Sequence, residues 1–169
     1  MKVTGYQLRE AIKQQTLRRD TTAQAFNGSL KKFPEEKKDA PSDVMNEFLQ
    51  AESAVAKLQI AQMRYNLAVQ VTVLGETMPL GEAIKRIGGP ARAEKMWRSA
   101  TGPKGDRYFS REDDEFDPAK VRAVATLSVK EALKLAQGAA KLAGALRAAV
   151  AMGNAEAVEI NDLTPALFE

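Results

Sequence analysis

Neither cysteine nor histidine occurs in the 169 residues. Their absence removes disulfides, thiolate nucleophiles, imidazole acid-base catalysis and the common zinc sites. Carboxylates, lysine, tyrosine, serine and threonine are the reactive groups that remain. Long apolar runs are missing too: no uncharged stretch approaches the roughly 20 residues of a membrane-spanning helix. Lys2, Arg9 and Lys13 interrupt any apolar core of an amino-terminal signal peptide. A cytoplasmic location is expected, and a phage protein made in the bacterial cytosol fits the same pattern. Charge of one sign is also scarce. With 25 basic and 22 acidic side chains the net charge is +3, and an isoelectric point near 9.1 permits contact with polyanions without demanding it.

What is present is an ordinary globular balance, 44% hydrophobic and 28% charged, in a chain of single-domain length. The sharpest pattern lies in its second quarter. Val44, Phe48, Ala51, Val55, Leu58, Gln62, Tyr65 and Val69 follow one another at alternating spacings of four and three, which is a heptad seam. A seam requires a facing helix, supplied by the same chain or by another subunit.

The remaining elements follow from caps, breakers and periodicity. Residues 1–30 carry a first helix from about Gly5, capped by Thr4, with Leu8 and Ile12 four apart and Phe26 and Leu30 four apart. Its middle, with Gln15, Arg18, Arg19, Asp20, Thr21 and Thr22, is polar and is expected to face solvent or a neighbouring subunit. Residues 31–41, charged and bearing two prolines, form a hairpin loop. Ser42 caps the heptad helix of residues 42–66, with Asp43 in its first turn. The period then changes to two: Val69, Val71 and Val73 point one way and Gln70 and Thr72 the other, as in a half-buried strand ended by Gly75. Pro79 opens a short helix bearing Leu80, Ala83, Ile84 and Ile87, stopped by Gly88 and Gly89. Pro90 then restarts a helix with Met96 and Trp97. After an irregular stretch from Thr101 to Asp117, Val121–Leu127 has strand character and is placed to pair with the first strand. Ser128 and Glu131 form a capping box for a long helix over residues 128–153, whose Gly138, Ala140, Gly144 and Ala148 would admit another helix closely. Residues 154–169 are an acidic tail whose Leu163, Pro165, Leu167 and Phe168 suit docking.

This order of elements resembles the septicolysin-like family of small bacterial helical proteins. The resemblance rests on Leu8, Glu10, Ala11 and Ile12 of the first helix, and on Tyr65 and Asn66 ending the second before an extended piece. It continues through Met78, Leu80, Glu82, Ala83 and Ile84, through the Tyr108–Arg111 loop, and through the Val121–Leu127 segment that leads into the last helix. It spans roughly residues 5 to 160. It implies a small helical fold and no established biochemical activity. The lytic action in the family label finds little echo here, because Lys130, Lys134, Lys141 and Arg147 punctuate the Ala-rich helix.

Candidate sites are few. Glu112, Asp113, Asp114, Glu115 and Asp117 offer oxygen ligands for a hard cation, yet lack the spacing and glycine of an EF-hand, so a solvated loop is the simpler reading. Ile87–Arg92 places two glycines and an arginine at a helix start, where an anion could sit. No nucleotide fingerprint surrounds them, and a helix stop followed by a helix start accounts for them. Gly102, Pro103, Lys104 and Gly105 read as a turn. Arg18, Arg19, Lys31 and Lys32, with Tyr108 and Phe109 beside Arg107, could meet nucleic acid but carry no recognisable binding fold. Met96 and Trp97 suit a core or an interface. No carboxylate pair is marked as acid and base.

The sequence thus predicts one mainly α domain: a long antiparallel helical hairpin, a small β element and a long carboxy-terminal helix. The expected function is non-enzymatic and structural, with copies assembling into a ring or larger particle of a cell or a phage. The packing or subunit interface would use Val44, Phe48, Val55, Leu58, Tyr65, Val69, Val71, Val73 and Trp97. Neither cofactor nor metal is expected. The partners are further copies of the chain and neighbouring structural proteins, not nucleic acid or membrane. Rival classes are a membrane-active lysin-like protein and a nucleic-acid-binding module, told apart by liposome leakage and by salt-sensitive retention of DNA or RNA.

The period of two after residue 68 has a direct test. Val71→Lys buries a charge and is expected to lower stability by several kcal/mol, whereas Gln70→Lys should change it by about 0.5 kcal/mol or less. Thermal melting of the two variants checks this, and equal melting temperatures would contradict the half-buried strand.

Overall fold

The computed structural model describes residues 1–37, 39–100 and 127–168. The Thr101–Asp117 stretch, the acidic cluster within it and residues 121–126 of the expected second strand lie outside the described residues. The architecture is mainly helical, as expected, with small strand elements and a long carboxy-terminal helix. Strand β1 (Lys2–Val3) precedes helix α1 (Gly5–Ser29), which the Lys31–Ala40 connection joins to α2 (Pro41–Ala68). A hairpin of β2 (Gln70–Val73) and β3 (Glu76–Pro79) follows, then α3 (Leu80–Arg86), α4 (Gly88–Ser99) and α5 (Val129–Ala155). The chain ends with β4 (Val158–Glu159) and a 3-10 turn at Pro165–Phe168.

Local chemistry explains most of these boundaries. Thr4 and Gln7 form a reciprocal capping box on α1, and Ser128 and Glu131 do the same on α5. Hydrogen bonds from the Ser128 hydroxyl and backbone hold the Glu131 carboxyl below the usual carboxylate range. At α2 the expectation of a Ser42 cap gives way. Ala40 occupies the cap position without a side-chain hydrogen bond, and Pro41 starts the helix, since its fixed φ suits the first turn and its missing N–H costs nothing there. Likewise Pro79 is the last residue of β3 and precedes α3 rather than opening it. α3 ends at Arg86, just before Gly88 and Gly89, but the next helix starts at Gly88 rather than at Pro90. The chain bends at Ile87, which keeps helical backbone angles, and the glycines form the first turn of α4.

α1 and α2 are the predicted antiparallel pair, and the facing helix of the heptad seam is therefore supplied by the same chain. Val44, Ala51, Val55, Leu58, Tyr65 and Val69 are all buried. The polar middle of α1 is a correction: Gln15 and Thr22 are buried rather than solvent-facing. Both find acceptors within the fold. Thr22 Oγ1 donates to the Arg18 carbonyl at 2.8 Å, and Gln15 Nε2 reaches the Leu167 carbonyl at 3.5 Å. The carboxy-terminal tail thus docks on its own chain, with Leu163, Leu167 and Phe168 against the core.

Two small antiparallel sheets complete the frame. β1 pairs with β4, Lys2 opposite Glu159 and Val3 opposite Val158, and the amino-terminal ammonium donates to the Ile160 carbonyl at 3.0 Å. β2 pairs with β3, a neighbour the sequence reading missed. Val71, Val73 and Met78 turn inward, while Thr72 and Thr77 meet on the outer side at 3.1 Å between hydroxyls. The hairpin tip is Leu74-Gly75, with φ of 50° and 93°, the two-residue turn that matches strand twist. Glycine takes this backbone freely, whereas leucine is strained by about 1–3 kcal/mol.

The hairpin is not a bare ribbon in need of a neighbouring subunit. It is covered by α3 and by the end of α5, where Gly153 presses on Val71 and Leu80. The small residues at this close approach differ from those expected, since Gly138, Gly144 and Ala148 are exposed. A Cβ on Gly153 would lie 2.7 Å from Val71 Cγ1 and 3.0 Å from Leu80 Cδ1, while one on Gly144 would meet open space. Gly153→Ala should cost about 1–3 kcal/mol through overpacking, and Gly144→Ala should add up to about 1 kcal/mol by helix propensity. Urea denaturation of the two variants reads both signs.

Candidate functional site

The residues expected at an interface are gathered inside one chain. Leu58, Tyr65, Val69, Val71 and Val73 belong to a single core with Leu8, Leu80 and Leu146. Val44 and Val55 are buried and Phe48 is half-buried along the same face of α2, while Trp97 is half-buried on α4, which packs against α5. The described strand and seam therefore do not call for a second subunit.

The densest polar arrangement surrounds Tyr65, which is 0% exposed. Its hydroxyl donates toward the carbonyls of Gly153 at 2.6 Å and Glu156 at 2.7 Å, at the end of α5, where the Glu156 N–H also reaches the Gly153 carbonyl at 3.3 Å. Burial pushes the Tyr65 hydroxyl above its ordinary pKa, opposed by a backbone hydrogen bond from Gly5. Beside it Asn154 is buried, accepting from Arg9 Nη2 at 2.9 Å and donating to the Val150 carbonyl at 2.7 Å. Gly5 permits this crowding, since a Cβ there would collide with Asn154 Oδ1 and lie 2.9 Å from Tyr65 Cε1. Every polar group in the cluster faces a structural partner. The cluster is a clasp between the start of α1 and the end of α5.

Surface features hold more that is unpartnered. On α2 a second apolar row runs beside the first: Met45, Leu49, Ala56, Ile60, Met63 and Leu67, within about 60° of arc at 100° per residue. Its large members are 37%, 56%, 50%, 66% and 68% exposed for Met45, Leu49, Ile60, Met63 and Leu67. Glu52 is the charged residue in the row, and Arg19 of α1 draws its carboxylate aside at 3.4 Å. Its spacings of four and three, with two fours meeting at Ala56, were legible in the sequence but were obscured by the stronger inner seam.

A cleft of about 580 Å³ lies between the β2–β3 hairpin, the α3–α4 bend and α5. Val73, Met78 and Leu146 give it a buried apolar floor, and Leu74 and Leu142 stand at its mouth. Lys85, Arg86 and Arg92 bring positive charge. Arg86 is neutralised by Glu76 at 2.9 Å and Glu82 at 2.5 Å. Lys85 and Arg92 have no ion-pair partner among the described residues. Arg92 belongs to the Ile87–Arg92 segment that the sequence reading set aside as a helix junction.

Among the described residues no group of Asp and Glu is placed to hold a metal, and no helix is long and apolar enough to cross a membrane. Of the residues weighed for nucleic-acid contact and set aside, Arg19 is held by Asp20 at 2.8 Å as well as by Glu52, while Arg107, Tyr108 and Phe109 lie outside the described residues. No family model matches the sequence, and no curated protein matches it. The fold is similar to the crystal structure of a functionally unknown conserved protein from Corynebacterium diphtheriae. The TM-score is 0.60 at 15% identity, over 94% of this chain and 100% of that one. A likeness at this identity establishes a shared fold.

Tyr65→Phe should lower stability by about 1–3 kcal/mol, because the Gly153 and Glu156 carbonyls lose the hydroxyl donor they share. The raised hydroxyl pKa adds a pH dependence. The folded chain holds the proton more tightly than the unfolded one, so this contribution is complete below the unfolded tyrosine value near 10 and is lost as pH rises through the folded value. Denaturant titrations above pH 10 should therefore show wild type losing stability more steeply than Tyr65→Phe, and parallel curves would contradict it.

Proposed function

We propose that the protein is a non-enzymatic assembly protein whose copies pair through the outer face of α2. The observation that carries this reading is the exposed apolar row beside an inner seam already covered by α1. Scattered apolar residues on a surface are ordinary, but a continuous stripe along one helix marks an interaction surface. The order of the row favours a second copy over an unrelated partner. Counting Glu52, its spacings are palindromic about Ala56. An antiparallel α2 from another copy brings Met45 opposite Leu67, Leu49 opposite Met63, Glu52 opposite Ile60, and Ala56 opposite itself. A two-fold contact requires this self-complementarity, and the small side chain on the axis lets the helices close over about 33 Å of length.

Such a pair is the unit from which a ring or larger particle, cellular or viral, would be built through an additional contact. The element order shared with the septicolysin-like pattern is compatible with this reading. The proposal gives the protein no catalytic residue and no cofactor.

Light scattering is expected to return a mass at or above twice 18.4 kDa at micromolar concentration. Ile60→Asp combined with Met63→Asp should reduce it to one copy with stability changed by about 0.5 kcal/mol or less per site. Ala56→Cys, the chain's single thiol, should oxidise to a linked dimer, whereas Glu47→Cys should not. A single-copy mass for the wild type across that range overturns the proposal.

A further inference from the structure

We propose that the cleft between the β2–β3 hairpin, the α3–α4 bend and α5 binds a small amphipathic anion, its apolar chain on the leucine and methionine floor and its head among Lys85 and Arg92. This site is separate from the outer face of α2 and does not rest on the pairing proposed for it. A volume of about 580 Å³ falls within the range of small-molecule pockets, about 300–1,000 Å³. Met78 and Leu146 are buried at its base, 4% and 2% exposed, so an alkyl chain entering it meets a fixed apolar surface.

Two features make the ligand anionic and the site more than a hollow. The guanidinium of Arg92 folds back on the first turn of α4, where a Cβ on Gly88 would lie 2.9 Å from Arg92 Nη1. No acidic residue occupies that turn. A cation thus sits at the helix end that favours anions, with Lys85 contributing to the same lining and the Glu76 carboxylate engaged by Arg86. An anionic head relieves this excess of positive charge. The second feature is Leu74. It occupies the left-handed position of a turn in which asparagine is favoured. Its side chain is 62% exposed at the cleft mouth. A leucine there works against the fold locally and adds apolar surface where a ligand chain would enter, the pattern of strain held at a working site.

Carboxylate and phosphate heads share this chemistry, and calorimetry separates them. Decanoate and decyl phosphate are titrated below micelle formation, with decanol and inorganic phosphate as the chain alone and the head alone. Saturable binding is expected for at least one of the two anions, and the tighter arm identifies the head. Decanol should bind about tenfold more weakly, and inorganic phosphate should not saturate. Lys85→Met with Arg92→Met, both exposed, should weaken binding of the anion about tenfold, as expected for the loss of two partly screened ion pairs. Leu74→Asn should raise the melting temperature of the free protein and yet weaken binding. Failure of both anions to saturate, equal affinity for decanol, or undiminished affinity in either variant would overturn the proposal. None of these outcomes alters the mass measured for α2 pairing.

Discussion

The fold turns on the buried hydroxyl of Tyr65. The side chain leaves α2 at the point where the start of α1 and the end of α5 converge, and its single proton is offered to the Gly153 and Glu156 carbonyls. The end of α2 is thereby tied to the end of α5 through one atom, and a hydroxyl left there without an acceptor would be costly away from water. The surrounding choices are consequences of this. Gly5 is small because the tyrosine ring and Asn154 stand against it, and Gly153 is small because the hairpin and α3 press on the same turn of α5 from the other side. β1 and β4 pair next to the clasp, so the two chain ends are brought together within it.

α2 is asked to do two things at once. Its inner row meets α1 and the core, while its outer row, about a third of a turn away, leaves methionine, leucine and isoleucine in water. Helices with one apolar stripe are the usual consequence of lying on a core. The second stripe is what the proposed pairing would cover, and Arg19 draws the one acidic side chain in that row toward α1. The cleft on the other side of the hairpin shows a similar tension, with Leu74 held in a backbone conformation that a different residue would adopt at lower cost. Stability and surface chemistry are set against each other at both places.

Much of this architecture was legible in the residues. The inner heptad from Val44 to Val69, the capping boxes at Thr4 and Ser128, and the alternation at Val69, Val71 and Val73 are local patterns, and each corresponds to an element of the fold. Sequence reasoning went astray where residue type alone did not settle the surroundings. Gln15 and Thr22 read as solvent-facing because their type is polar. The Leu167 carbonyl, brought in from the far end of the chain, satisfies Gln15, and the helix backbone satisfies Thr22. β3 was hidden because Glu76-Thr77-Met78-Pro79 has little strand character until β2 lies beside it. Gly88 and Gly89 read as a gap before Pro90 because their helix propensity is low, yet they form the first turn of α4.

By itself the sequence determined which segments are helical, which face of α2 must be covered, and that cysteine and histidine chemistry is absent. Periodicity, capping and composition act over a few residues and need no knowledge of the fold. Only the tertiary structure decided what covers each face, since burial is a property of pairs of distant elements. The inner seam of α2 went to α1, the hairpin went to α3 and α5, and the tail returned to α1. That allocation leaves the outer row of α2 and the basic-rimmed cleft exposed.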